Sequence, residues 1–260
     1  MIKRRIGNLG AKILSCIEYL GGLLVLLFNN ILQVFSRPFK LDRILFQSKV
    51  IGVESLPIVS LVAFFLGMIL AFQTAYMLSK MGSEIYIANI VALSLVRELG
   101  PVLTSLVVAG RNGASITAEI GTMKVSEQID ALETLATNPI RYLVVPRFLA
   151  LFFMVPLLVI YADLIGIAGG WLVCVQKLGV NSHFYIKMVT EAIEYKDIFT
   201  GLLKSFVFAI IIAIVSCYHG MKVEGGAEGV GRATTVSVVN SFILIIVADC
   251  IFTAIFYFLK

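Results

Sequence analysis

Arg97 and Glu98 stand side by side in residues 85–110, a stretch otherwise free of charge, and Gly100-Pro101 follows at once. A charge at the centre of a bilayer costs about 2.5–3.5 kcal/mol on insertion scales, so such residues are kept for ion pairs, cavities or transport paths. Neighbours on a helix point about 100° apart, so adjacency alone does not neutralise the two. At 1.5 Å per residue they lie ~18–20 Å into the stretch, too deep to reach an interface cheaply. At least one of them is expected to face a polar cavity or a partner helix. Pro101 lacks an N–H and frees a backbone carbonyl near residue 97, which can bend a helix. Three more charges are embedded in apolar sequence: Asp163, Lys204 and Asp249. Lys204 and Asp249 fall at depths about 6 Å apart in their segments, within reach of a lysine side chain. They are expected to form a structural ion pair, with exchange of the two charges as the test. Asp163 has no evident partner in the sequence.

The rest of the chain must hold these groups inside a membrane. Of its 260 residues 59% are hydrophobic and 14% charged, with a mean hydropathy of +0.97. Soluble domains carry about 25% charged residues, so this is an integral membrane protein of the all-α class. A crossing helix needs about 20 apolar residues, and five stretches qualify: 55–78, 85–110, 148–176, 198–218 and 233–259. A sixth, 13–35, is long enough but holds Glu18, Asn29, Asn30 and Gln33 and has basic flanks on both sides. A crossing would strand one basic flank outside, against the positive-inside rule. It is therefore expected to be an interfacial or re-entrant helix. With five crossings, 14 of the 21 Lys and Arg residues fall on the N-terminal side and five opposite. That balance predicts a cytoplasmic N-terminus and a C-terminus on the outer side, with residues 1–260 forming a single domain.

Other classes of chemistry find little support. The net charge of +5 has no basic run interleaved with aromatics, so nucleic acid is not an expected partner. Cys16, Cys174, Cys217 and Cys250 form no CxxC pair and read as small buried hydrophobes. His183 and His219 are isolated, and no metal site is expected. The apolar stretch after the basic N-terminus lacks a small-residue cleavage site, so no removable signal peptide is expected. Residues 226–233, GAEGVGRA, imitate the glycines of a P-loop. They put Arg232 and Ala233 where the phosphate-cradling lysine and the Mg²⁺-binding Ser or Thr belong, and read as a flexible turn.

The longest polar stretch, residues 111–147, contains SEQIDALETLA. Ser126 is placed to cap a helix, Glu127 and Asp130 suit its N-terminus, and Ile129, Leu132 and Leu135 give one apolar face. Pro139 ends it. A short amphipathic helix over about 126–137 is expected, with Glu127, Asp130 and Glu133 on its polar side. It could pack on the protein itself or dock a partner. Beyond the third span, Phe184, Met188, Ala192 and Tyr195 are spaced for a short helix on the opposite surface.

Residues 95–150, LVRELGPVLTSLVVAGRNGASITAEIGTMKVSEQIDALETLATNPIRYLVVPRFLA, resemble the core of the MlaE-like (YrbE-type) permeases, the membrane subunits of ABC lipid transporters that work with MCE-domain proteins. Residues 225–241, GGAEGVGRATTVSVVNS, resemble that family's last cytoplasmic loop and final span. The resemblance implies a bacterial inner-membrane permease that forms a homodimer and moves phospholipid or a related lipid between inner and outer membranes. It is non-catalytic and binds no cofactor of its own, because ATP and Mg²⁺ are handled by a cytoplasmic ABC ATPase. A periplasmic MCE-domain protein docks on the outer side, and some systems add a STAS-domain subunit. The coupling helix of the family falls on residues 126–139, so Glu127, Asp130 and Glu133 are available to the ATPase. The LVREL motif falls on residues bordering the family's lipid cavity, so Arg97 and Glu98 would line it, Arg97 attracting a phosphate-bearing headgroup. The competing role for both is interhelical salt bridging. The rival function is a proton-coupled secondary transporter working through Glu98, Asp163 and Asp249, against which stands the lack of an inverted hydropathy repeat. An intramembrane enzyme would need a nucleophile with a base, or a metal cluster, and the sequence supplies neither.

Overall fold

The computed structural model describes residues 2–34, 41–80, 82–83 and 86–258, the side chains of 2–13 and 16 excepted. The expected segment ends at 35, 85 and 259 lie outside the described residues. Helix α1 (Ile2–Val34) leads to α2 (Leu41–Ile51) and, through a 3₁₀ turn at Val53–Ser55, to α3 (Leu56–Ser79). The chain returns as α4 (Ile87–Ser94), α5 (Gly100–Val108) and α6 (Ala114–Val125). Two π turns, Leu95–Leu99 and Ala109–Gly113, fuse these into one rod. Next come α7 (Gln128–Thr134), a third π turn at Ile140–Val144, α8 (Val145–Gln176), α9 (Ser182–Ala192), α10 (Tyr195–Met221) and α11 (Gly226–Phe258). No strand occurs among the described residues. Six helical rods there are long and apolar enough to cross a membrane. Large apolar side chains such as Leu24, Phe65, Leu164 and Ile243 are exposed along them, as only a lipid environment tolerates on this scale.

Several rods overshoot the bilayer. Leu41–Ser79 and Ile87–Val125 have 39 residues each and Ile140–Gln176 has 37, lengths of ~58 and ~55 Å at 1.5 Å per residue against a hydrocarbon core of ~30 Å. Residues 111–125, expected within a polar loop, are therefore mostly the helical extension α6. Hydropathy misses this because α6 is held by small and hydroxylated residues. Thr117 Oγ1 lies 2.8 Å from Ser237 Oγ and 3.1 Å from the Ser216 carbonyl, and Ile120 packs where a side chain on Gly220 would stand. Residues 226–233 are likewise the first turns of α11 and not a flexible turn.

The seam between α3 and α8 is made of small residues. Ala63, Gly67, Ala71 and Ala75 recur every fourth position on α3 and are all buried. Ala63, Phe64 and Gly67 meet Gly166, Gly169 and Gly170 of α8, so closely that a Cβ on Gly67 would lie 1.8 Å from the Gly166 carbonyl oxygen. Small-xxx-small spacing of this kind lets backbones approach within a membrane, where no hydrophobic force draws helices together. One core gathers where α5, α6, α8 and α10 pack together, and a second lies where α3 and α4 meet α9. Helix α9 is capped by Asn181, whose Oδ1 accepts from the His183 N–H at 2.9 Å. It is pinned by Tyr185, which is buried and donates to the Ile167 carbonyl at 3.2 Å. Its inward face is thus Tyr185 and Val189; Phe184, Met188 and Ala192 flank that face, and Tyr195 is exposed at the start of α10. Cys174 and Cys217 are buried, whereas Cys250 is exposed, contrary to the expectation for that residue, because it lies on the outer face of α11.

Candidate functional site

The site grows out of the first π turn. There the Gly100 N–H bonds to the carbonyl of Leu95, five residues back, and Pro101 has no N–H to offer the carbonyl of Arg97. Both loosened carbonyls turn to α10. Lys204 Nζ donates to the Arg97 carbonyl at 3.3 Å. The Val96 carbonyl seats on Gly201, where a Cβ would stand 2.3 Å from it. Single π turns inside α-helices are frequent at functional sites because they break the ladder and re-aim side chains.

Arg97 and Glu98 diverge, as neighbours must, yet both reach α10. Arg97 Nε lies 3.0 Å from Asp197 Oδ1, whose Oδ2 accepts the Glu194 N–H at 3.0 Å and so caps α10 as well. Seven residues further along α10, Lys204 Nζ sits 2.5 Å from Glu98 Oε2, 2.9 Å from Asp249 Oδ1 and 2.8 Å from Thr253 Oγ1. Thr253 Oγ1 lies 3.2 and 3.1 Å from the two Glu98 carboxylate oxygens, closing the ring. The pair expected from depth is thus a triad in which one ammonium holds two carboxylates from different helices. The Lys204 side chain is 1% exposed, while Glu98 is 40% and Arg97 38% exposed. The ammonium lies buried at the seam of α10 and α11, while the Arg97 guanidinium and the Glu98 carboxylate reach a surface. Chemically the arrangement presents one cation and one anion, fixed on a π turn within a long helical rod.

Asp163 lies apart from this network. Its Oδ1 packs against Gly100, where a Cβ would be 1.8 Å away, and finds no hydrogen-bond partner. Glu127, Asp130 and Glu133 are all exposed, about 40 Å along the rod from Glu98. Helix α7 is shorter than the expected 126–137. Ser126 closes α6, its N–H and Oγ both bonding to the Thr122 carbonyl at 3.0 and 2.8 Å. Glu127 turns the chain with a left-handed φ of 58°. Ile129 is buried, Leu132 half-buried and Leu135 exposed. Asp130 Oδ1 holds Lys124 Nζ at 2.7 Å.

Sequence reasoning missed several partners. Asp197 carried one faint signal, the Glu194-x-x-Asp197 capping pattern before an apolar run. At the second π turn Arg111 and Asn112 both donate to Ser55 Oγ, at 2.7 and 2.8 Å. Buried Arg147 pairs with Glu119 at 2.8 Å and clamps α6 to α8 on either side of α7. Tyr19 of α1 meets His219 Nε2 at 3.2 Å, and Asn240 Nδ2 lies within 3.2 Å of both. Among the described residues no three His, Cys, Asp or Glu side chains converge as a metal site.

The sequence pattern of the family Permease MlaE matches residues 44–255. The chain belongs to the MlaE permease family. The matched residues take in the whole network from Arg97 to Thr253, and α7 with it. Among relatives, a "Probable ABC transporter permease protein" of Rickettsia felis is 45% identical over 250 residues, 96% of each chain. The "Intermembrane phospholipid transport system permease protein MlaE" of Haemophilus influenzae is 36% identical over 258 residues, 99% of each. "Protein TRIGALACTOSYLDIACYLGLYCEROL 1, chloroplastic" of Arabidopsis thaliana is 37% identical over 206 residues, 79% of this chain and 59% of that protein.

Proposed function

We propose that this chain is the membrane subunit of an ABC transporter that moves phospholipid, or a lipid of related headgroup, between the inner and outer membranes of a bacterium. The carrying observation is the match to the Haemophilus phospholipid-transport permease along nearly the whole of both chains. The chain supplies the path; a separate cytoplasmic ATPase hydrolyses ATP. Two copies form the working permease, an MCE-domain protein receives or delivers lipid on the periplasmic side, and a STAS-domain subunit is an optional addition. Arg97 and Glu98 border the lipid path, with the Arg97 guanidinium offered to a headgroup phosphate and the Lys204 triad keeping the bend in shape. Five rods cross the membrane and α1 lies along its cytoplasmic face. In support, α1 packs near the α7 end of the bundle, reaching His219 at the end of α10 through Tyr19. The basic residues on both its flanks favour the same side. The N-terminus is then cytoplasmic and the C-terminus periplasmic.

In this reading α7 is the coupling helix, and the exposed acids Glu127, Asp130 and Glu133 meet the ATPase. Reversing all three to lysine is expected to cut ATP-driven lipid transfer about tenfold or more, because like-charge contacts at an interface cost several kcal/mol. The chain itself stays folded, since all three side chains are exposed. Co-purification of the ATPase with the triple variant, together with its lipid transfer, checks this. Full association and full transfer would remove α7's acidic face from the interface.

A further inference from the structure

Beside the first π turn the fold leaves a cavity of about 140 Å³, walled by α8, α10 and the turn itself. Val96, Val159 and Gly201 are buried and make its floor; Ile160, Leu164 and Ile198 are exposed and make its mouth. The Val96 carbonyl seats on Gly201, so the floor is the seam between the π turn and α10. Among the described residues Asp163 is the one polar side chain in the lining, and its Oδ1 is turned out of the cavity onto Gly100. Arg97, Asp197 and Lys204, paired with one another's helices, do not border it.

The lining and its position select the guest. Apolar cavities on the order of 150 Å³ stay dry and take up molecules such as benzene. A buried water makes about three hydrogen bonds, which this lining does not supply. The mouth opens among lipid-facing side chains near the middle of α8, where the surrounding phase is hydrocarbon. A guest from that phase gives up no contact with water and gains packing on every side. Because the floor is closed, a chain enters by its end and cannot run through. We infer that the cavity holds the methyl end of an acyl chain from a lipid of the surrounding bilayer, seated against the seam of Val96 and Gly201. The lipid so held braces the π turn from the α8 side, away from the exposed ends of Arg97 and Glu98. The site does not rest on the transport reading.

Two phosphatidylcholine probes test it, one with a diazirine on the last carbon of an acyl chain, the other with the diazirine near the glycerol. Each is photolysed with the full-length protein in phosphatidylcholine nanodiscs, and label per residue is measured by mass spectrometry on residues 159–167 and 193–202. The reference is Leu61 and Phe65 on α3, which are exposed and at the same depth, since Ser60 Oγ lies 2.7 Å from the Tyr161 hydroxyl. The chain-end probe is expected to label the cavity about tenfold more than the reference, because filling about half of such a void is worth that factor. The glycerol-end probe is expected to show no such excess. Val159→Phe fills the cavity from the floor and Leu164→Trp closes the mouth. Each is expected to bring the cavity's label down to that of Leu61 and Phe65 and to leave those two unchanged. Equal label on cavity and reference in the unmodified protein would overturn the inference, as would an excess that persists in both variants. Label below the reference would overturn it too, by showing that a protein partner and not lipid covers this face.

Discussion

Replacing Lys204 by methionine is expected to lower the thermal midpoint of the purified protein by about 10 °C and to abolish lipid transfer. The ammonium is nearly inaccessible and faces two carboxylates, a threonine hydroxyl and a backbone carbonyl. Removing one partner from a buried ion pair costs about 3–5 kcal/mol. The low end applies here, because Glu98 is 40% exposed and water can screen it. Arginine should not rescue, since a planar fork cannot fit the space closed by Thr253 and the Arg97 carbonyl. Exchanging the charges, Lys204→Asp with Asp249→Lys, is expected to fail as well, for it sets Asp at 204 against Glu98. The informative variant is the neutral triple, Lys204→Met with Glu98→Gln and Asp249→Asn. Neutralising every member of a buried ionic group is often harmless to stability, so the thermal midpoint should recover. Recovery of transfer with it would show that the triad only holds the helices together; stability without transfer assigns Glu98 to the lipid path.

The second large effect is expected at Gly67. Alanine there puts a methyl 1.8 Å from the Gly166 carbonyl oxygen and 2.6 Å from its carbon. Both obstacles are backbone, so no side chain can swing aside, and α3 must part from α8. Overpacking costs about 1–3 kcal/mol and more when backbone blocks the way; leucine at the same position should prevent assembly altogether. Gly21 is the matched control: it is helical, and a Cβ there meets nothing within 4 Å. Gly21→Ala is expected to be neutral or to stabilise by about 0.5–1 kcal/mol. Thermal unfolding of the three variants in one detergent decides the matter, and equal midpoints for Gly67→Ala and Gly21→Ala would refute the backbone seam.

The helical class, the membrane setting and the family were all legible in the residues, because hydropathy and a long contiguous motif report them directly. The depth of Lys204 and Asp249 was legible too, but the third member was not. Glu98 reaches Lys204 from the π turn at 95–99, and the Val96 carbonyl of that turn seats on Gly201 across the helix seam. A contact that depends on a defect in one helix and a missing Cβ in another leaves no periodicity to read. The extension of the second rod through α6 was hidden for a related reason. Gly113, Thr117 and Gly121 pack as tightly as leucines would, yet on a hydropathy scale they look like loop. Helix α7 was seen, but its true start was displaced by one residue in the left-handed region, Glu127, where Ser126 had the better capping chemistry.

The decisive measurement is transfer of a fluorescent phospholipid out of liposomes holding the chain and its partner ATPase, with ATP and a proton gradient supplied separately. An ABC permease requires ATP and is indifferent to the gradient, and the Lys204→Met protein is inert under both conditions. Transfer driven by the gradient alone, and lost when Glu98 or Asp249 is neutralised, would contradict this and make the same residues a proton path.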